Sequence, residues 1–325
     1  MRGLKGQATG KSVHDLELSA HGLANRLPAL LVEASRVAQT VAHGIHGRRR
    51  AGPGETFWQF RHYAYGDSAP AIDWRRSASS DHLYVREREW EAAHTLLIWP
   101  DLSPSMVYRS HLSTDLKRDR ALILAFAVSE LALAGGERVG LLGGDPPSSA
   151  RHTTQNIALR LARQEQDGVA FSSLPPDIPL RRFSECLMFG DFLDPPEELA
   201  AIFEHIASQG VRGHLIQVLD PAEETLPYSG RVEFAGVESR DRMLAGRVET
   251  LRDAYLERMQ RHKDAIAELA RRLEWSYLVH HTDRPAGETL LSLHTYLSGQ
   301  GADYRAKGTA RAARPLAEGA PGGAA

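Results

Sequence analysis

The sequence predicts an α/β protein built on a doubly wound, mostly parallel sheet. Short apolar segments typical of buried strands alternate with segments of helical periodicity between residues 95 and 297. This alternation is typical of a parallel sheet with helices on both faces. The chain has 325 residues, of which 42% are hydrophobic and 25% charged. That composition is typical of an ordinary globular protein of one or two domains.

The segments before residue 95 are of a different kind. Apolar residues at helical spacing predict one amphipathic helix from Leu23 to Val41, with Pro28 near its start, where proline is tolerated. Gly44 to Ser80 is rich in glycine, proline and aromatic residues and poor in aliphatic ones. It predicts loops and short strands anchored by aromatic side chains, Trp74 among them. Leu83 to Glu91 is predicted to be extended.

From residue 95 onward, the predicted elements alternate. Strands are predicted at 95–99, 139–142, 186–189, 214–219 and 275–279, with a short one at 231–234. Helices are predicted at 115–134, 154–163, 195–208, 241–273 and 288–297. Two glycines end the first of these helices, and a proline followed by two glutamates begins the third. No internal repeat is visible.

The composition predicts four regions along the chain. They are a flexible N-terminus at 1–20, an N-terminal helix with a Gly/aromatic-rich platform at 21–82, the α/β domain at 83–300, and a disordered tail at 301–325. The tail is predicted from its alanine, glycine, proline and arginine content.

Charge and cysteine content exclude several classes of function. The 39 basic and 41 acidic residues give a net charge of −2, which argues against a general nucleic-acid binder. Five of the basic residues are lysines and the rest are arginines. Cys186 is the single cysteine, which excludes an intrachain disulfide and a multi-cysteine metal site. We expect a cytoplasmic protein without a secretory signal or transmembrane segment, and peripheral membrane association through a partner stays open.

The sharpest local signal is Asp101-Leu102-Ser103-Pro104-Ser105, directly after a predicted buried strand. In an extended chain its three oxygen-bearing side chains lie on one side. A carboxylate with neutral hydroxyls suits Mg²⁺ or Mn²⁺ and leaves much of the ion's charge uncompensated. The alternative is that the serines cap a following helix and the aspartate is a solvated loop residue.

Other polar residues are predicted at the same edge of the sheet. Asp191 and Asp220 directly follow predicted strands, and Asp145 follows another slightly later. Thr153 or Thr154 could add a hydroxyl from a loop. In a parallel sheet, ligands bind outside the carboxyl ends of the strands, and carboxylates that converge there need a cation to neutralise them.

These residues resemble known families. Asp101, Ser103 and Ser105 resemble the metal-ion-dependent adhesion site of von Willebrand factor A domains, where D-x-S-x-S, a loop threonine and a later strand-end aspartate surround the ion. More of the chain, about residues 44–297, is similar to the domain of unknown function 58 family. Its R-x-Y-x-x-G-D…I-D-W signature resembles Arg61-His62-Tyr63-Ala64-Tyr65-Gly66-Asp67 followed by Ile72-Asp73-Trp74.

The resemblance implies a von Willebrand factor A-like domain and a set of metal-binding residues. The set for Mg²⁺ or Mn²⁺ is Asp101, Ser103, Ser105, Thr154 and Asp191. Because such proteins are often encoded beside MoxR-type AAA+ ATPases, it also implies an adaptor or substrate-recruiting role with that ATPase and its client protein as partners.

Three functional hypotheses follow. The first is a non-enzymatic, metal-assisted protein-interaction module whose ion captures an acidic side chain of a partner. The second is a metal-dependent hydrolase that uses the same carboxylates, although the sequence links no histidine to them as a general base. The third is a structural scaffold with an empty site.

Overall fold

The computed structural model of the chain describes residues 23–46, 57–63, 72–78, 80, 82–88, 94–235 and 242–297. They form two compact units. One unit contains the residues up to Ala42 together with those from His94 onward, and the other contains residues 43–93. The predicted boundary between residues 82 and 83 stays a prediction. The predicted flexible N-terminus and disordered tail lie outside the described residues.

Nine strands and eight α-helices are present in the described ranges. The strands are β1 (Phe57–His62), β2 (Tyr84–Arg88), β3 (Thr95–Pro100), β4 (Arg138–Leu141), β5 (Glu185–Gly190), β6 (Arg212–Leu219), β7 (Val232–Ala235), β8 (Arg242–Ala245) and β9 (Ser276–His281). The helices are α1 (Leu23–His46), α2 (Trp74–Ser77), α3 (Lys117–Ala134), α4 (Thr153–Gln166), α5 (Pro196–Ser208), α6 (Pro221–Thr225), α7 (Glu249–Arg272) and α8 (Ala286–Leu297).

The central sheet has five strands in the order β4-β3-β5-β6-β9, and every neighbouring pair is parallel. From β3 the chain passes to β4 on one side and then returns to β5 on the other. The strand order therefore reverses between β3 and β5, and such a reversal is where a doubly wound sheet opens a crevice for ligands. The predicted doubly wound parallel sheet is confirmed.

Helices cover both faces of this sheet. On one face, alternate strand residues such as Leu97, Met188 and Leu215 form a buried core with Phe203 of α5 and Ile266 of α7. Strand side chains alternate between faces, so the intervening residues point to the opposite face. There α3, whose residues from its first turn to Ser129 are buried, contacts β3, β4, β5 and β6.

The prediction of one long helix at 241–273 is wrong for the residues before 249. Residues 242–245 form β8, which pairs antiparallel with β7 from Val232↔Ala245 to Ala235↔Arg242. The helix α7 begins at Glu249, after Gly246. Met243 supplied the first apolar position of the helical pattern, but it is more than half exposed on the hairpin, as is its neighbour Leu244.

The second unit contains a two-stranded antiparallel pair and one short helix. β1 pairs with β2, and Ile72 makes an isolated bridge to Val85. Asp73 caps α2, because its carboxylate accepts a hydrogen bond from the Arg76 backbone N–H at 3.0 Å. The prediction that Trp74 is an apolar anchor is wrong, since its side chain is 61% exposed. The signature residues Gly66 and Asp67 lie outside the described residues.

Candidate functional site

The reversal of strand order brings two sequence-predicted aspartates together. β3 ends at Pro100 and β5 at Gly190, so Asp101 and Asp191 are the next residues on neighbouring strands. The Asp101 N–H still continues the ladder, donating to the Phe189 carbonyl at 2.8 Å. Gly190 permits the close approach, because a Cβ at this position would lie only 3.0 Å from the Cβ of Asp101.

The Asp101 segment turns instead of staying extended. The Ser103 N–H donates to Asp101 Oδ1 at 2.8 Å, and a short 3₁₀ turn follows at Pro104–Met106. Ser103 makes no side-chain cap hydrogen bond, so the helix-capping alternative fails for it. Its hydroxyl lies 3.1 Å from that of Ser105. Asp101 is fully buried, and its Oδ2 has no hydrogen-bond partner among the described residues.

In contrast to those of Asp101, both carboxylate oxygens of Asp191 accept hydrogen bonds. Its Oδ2 accepts a hydrogen bond from Lys117 Nζ at 2.9 Å, and its Oδ1 accepts one from the Leu193 N–H at 3.3 Å. The Ser105 hydroxyl is close enough to this carboxylate to help lower the pKa of Asp191. Ser105 therefore joins the Asp101 turn to Asp191. The structure brings Asp101, Ser103, Ser105 and Asp191 into one cluster.

Lys117 and Glu223 belong to the same cluster, and the motif analysis missed both. Lys117 is the first residue of α3 and is 1% exposed. Its Nζ lies 2.7 Å from Glu223 Oε1 as well as against Asp191. A lysine at a helix N-terminus is disfavoured by the helix dipole, so the two carboxylates must compensate. A signal was available, because Lys117 is one of only five lysines in an arginine-dominated chain.

These contacts shift the pKa values of the cluster in different directions. Burial and the nearby Asp191 raise the pKa of Asp101 to about 7. Burial acts most strongly on Asp191 and would raise its pKa, but the charge of Lys117 together with the hydrogen bonds from Lys117, Ser105 and the Leu193 N–H lowers the pKa overall. Burial raises the pKa of Glu223. Asp191 is therefore the carboxylate that keeps its charge, whereas Asp101 has one oxygen, Oδ2, without a hydrogen-bond partner among the described residues.

Two other strand-end aspartates have structural roles. Asp220 caps α6, its Oδ1 accepting from the Ala222 N–H at 2.9 Å, while its Oδ2 accepts from the Ser110 N–H at 2.8 Å. Asp145 has an 82% exposed side chain paired with Arg160 at 2.9 Å. Both carboxylates are therefore engaged outside the Asp101–Asp191 cluster.

The two candidate threonines begin α4, which follows the strand β4 beside β3. Thr153 and Thr154 are both buried, and neither Oγ1 has a hydrogen-bond partner in the described part of the chain. The structure makes no choice between them.

The donor set fits a hard divalent cation in its chemistry. No group of three or more histidine, cysteine, aspartate or glutamate side chains suited to a metal occurs in the described ranges. The cluster instead offers the carboxylates of Asp101 and Asp191 with the hydroxyls of Ser103 and Ser105, and Asp101 Oδ2 has no hydrogen-bond partner among the described residues. Such all-oxygen sets suit Mg²⁺ and Mn²⁺.

Fold and site together define a doubly wound α/β protein with a carboxylate–hydroxyl cluster at the reversal of its sheet. The chain belongs to the family described as "Protein of unknown function DUF58", whose model matches residues 59–265.

Relatives extend over most of the chain. It is 27% identical over 288 residues to "Uncharacterized protein Rv1480" of Mycobacterium tuberculosis and to "Uncharacterized protein Mb1516" of Mycobacterium bovis, covering 84% of this chain and 85% of each relative. Among solved structures, "conserved hypothetical protein BatB" from Bacteroides thetaiotaomicron is similar, with 14% identity and a TM-score of 0.30. That match covers 64% of this chain and all of the solved one. None of the helices in the described ranges is long and apolar enough to cross a bilayer.

Proposed function

We propose that the protein is a non-enzymatic interaction module with a von Willebrand factor A-like domain, and that its sheet-edge cluster binds Mg²⁺ or Mn²⁺. Asp101, Ser103, Ser105, Thr154 and Asp191 would hold the cation, directly or through water. When bound, it would supply an exchangeable position that accepts a carboxylate from another protein. The partner in this proposal is a MoxR-type AAA+ ATPase or its client protein.

The observation that carries the proposal is the unpaired, fully buried Oδ2 of Asp101. A buried carboxylate without a partner is costly, and native structures keep few such atoms unless a ligand or function requires them. Here the atom lies in a cluster with serine hydroxyls and a second carboxylate.

The charge balance of the cluster points to a divalent ion. Asp101, Asp191 and Glu223 supply three carboxylates, and among the described residues the ammonium close to them is that of Lys117. When all of these groups are ionised, two negative charges are left over. Buried charges that remain uncompensated are strongly unfavourable. A divalent cation would neutralise this excess.

The hydroxyl ligands explain why such a site would suit recognition of an acidic partner. Ser103, Ser105 and Thr154 would contribute oxygen atoms without contributing charge. Asp191 already shares its charge with Lys117 at 2.9 Å. Much of the cation's charge would therefore stay available to attract an acidic side chain of a partner.

The test is capture of a purified MoxR-type ATPase from the same organism by the 325-residue chain. We expect capture in Mg²⁺ and its loss in EDTA or in Asp101→Asn, which keeps the side-chain shape. Asp145→Asn is the matched control, because Asp145 also follows a sheet strand but its side chain is 82% exposed. That variant should capture as the wild type does. Capture that survives both EDTA and Asp101→Asn contradicts the metal-assisted mechanism.

A further inference from the structure

Lys117 occupies an unusual position for a lysine. Its side chain is 1% exposed, and its Nζ lies 2.9 Å from Asp191 Oδ2 and 2.7 Å from Glu223 Oε1. It also faces the Tyr108 ring at 5.9 Å. The ammonium is thus held between Asp191, which is a proposed metal ligand, and Glu223, which belongs to the cluster but is not a proposed ligand.

Glu223 is fixed independently of Lys117. It is the third residue of α6, and its Oε2 accepts a hydrogen bond from the Asp220 N–H at 2.8 Å, completing a capping box. Only Oε1 is directed to the lysine. Glu223 is therefore a stationary acceptor that can retain the ammonium if Asp191 is withdrawn from it.

We propose that Lys117 is a built-in counter-cation that competes with a divalent ion for Asp191 and so sets how tightly the site binds that ion. The inference rests on the metal site of the proposed function. With Lys117 paired to Asp191, the unpaired carboxylate oxygen offered by the site is that of Asp101. Entry of a divalent ion draws Asp191 away from the ammonium, which stays with Glu223.

The competition has a simple electrostatic basis. The ammonium is a full positive charge within hydrogen-bond distance of Asp191, in surroundings largely closed to water. It repels a second cation and occupies an oxygen that this cation could use. Because both effects weaken binding, removing the ammonium should tighten it.

The test is a calorimetric titration of the protein with Mn²⁺, which measures the affinity of the site for the ion. We expect Lys117→Met to bind Mn²⁺ about tenfold or more tightly than the wild type. Lys263→Met is the control, because Lys263 pairs with Glu224 and makes no contact with Asp191; its affinity should match the wild type. Far-ultraviolet circular dichroism checks that each variant is folded.

Glu223→Gln provides a second test, in which the Mn²⁺ affinity is expected to change in the opposite direction from that in Lys117→Met. Without the second carboxylate, Lys117 has Asp191 as its remaining charged partner, so Mn²⁺ affinity should fall. This variant decides the matter if Lys117→Met does not fold. An affinity that is unchanged or higher in Glu223→Gln, or unchanged in a folded Lys117→Met, overturns the inference.

The outcome is separable from that of the proposed function. If Asp101→Asn leaves Mn²⁺ binding intact, the metal site itself is wrong, whatever Lys117→Met does. If Asp101→Asn abolishes binding while Lys117→Met leaves the affinity unchanged, only the role of Lys117 is wrong.

Discussion

At the scale of single residues, the buried polar groups of the cluster and of the first turn of α4 differ in how well they are paired. Asp191 and Lys117 satisfy each other, whereas Asp101 Oδ2 and the hydroxyls of Thr153 and Thr154 have no partner in the described ranges. An unpaired buried hydroxyl costs about 1–3 kcal/mol. A threonine that binds the cation should therefore be distinguishable from one that does not.

Valine has nearly the shape of threonine and lacks the hydroxyl, so it separates the two positions. We expect Thr154→Val to weaken Mn²⁺ binding about tenfold, because it removes a neutral ligand, and Thr153→Val to leave it unchanged. Neither variant should be less stable than the wild type without metal, since each removes an unpaired hydroxyl. Calorimetric titration and urea unfolding in EDTA measure the two effects. If Thr153→Val weakens Mn²⁺ binding and Thr154→Val leaves it unchanged, Thr153 is the residue that binds the ion.

Residue-scale prediction from the sequence worked where the signal was local. The Asp101–Ser105 pattern lies within five residues after one strand, so a short motif could predict that its oxygens meet. The pairing of Lys117 depends instead on where α3 begins relative to β5 and α6. That relation is tertiary, and no spacing in the sequence encodes it. Whether the cluster binds metal stays a prediction.

At the scale of elements, the contact between β6 and β9 depends on one glycine. Gly213 is the second residue of β6, and the Trp275 indole packs directly against its Cα. Trp275 is 1% exposed and belongs to the same core as Phe203. A side chain at position 213 would overlap the indole ring.

Gly213→Ala should therefore destabilise the protein by about 3 kcal/mol, the upper part of the usual range for overpacking. Gly246→Ala is the control, because a Cβ at position 246 meets no atom within 4 Å. Urea unfolding, monitored by tryptophan fluorescence, gives the free energy of unfolding of both variants and of the wild type. Equal stability of Gly213→Ala and the wild type would contradict the packing described for Trp275.

Elements were predicted best where burial dominated the pattern. The strands of the sheet are rich in buried apolar residues, and each predicted strand overlaps an observed one. The hairpin of β7 and β8 was half missed, because the exposed Met243 and Leu244 follow no alternation between a buried and a solvated face. Its position depends on pairing with β7, which helical periodicity cannot detect.

At the scale of the whole molecule, residues 23–42 of α1 belong to the unit that contains the sheet. The helix buries a stripe that includes Leu23, Leu27 and Leu30, as its helical periodicity predicted. It also supplies Arg26, which forms an ion pair with Asp119 in the first turn of α3. The Asp119 side chain is 3% exposed, so this pair links α1 to a buried charge.

Arg26→Met should destabilise the protein by about 2 kcal/mol, because it leaves a buried carboxylate without its arginine. Arg36→Met, at an exposed position of the same helix, should change stability by less than about 0.5 kcal/mol. Adding Asp119→Asn to Arg26→Met should recover part of the loss, since the unpaired charge is then gone. Urea unfolding of the three variants measures this. No recovery in the double variant would mean that the charge on Asp119 is not what Arg26 compensates.

The charges of the cluster come from distant parts of the chain. Lys117 is 74 residues from Asp191 and 106 residues from Glu223 along the chain. Contacts between such distant residues carry a large loop-closure cost and form after local structure. During synthesis, the Asp101–Ser105 motif and Lys117 are therefore made well before Asp191 and Glu223, the two carboxylates that pair with the lysine. All residues of the cluster exist once Glu223 has been made, before β9 is made, so a cation bound there would distinguish chains that have passed this point from every shorter one.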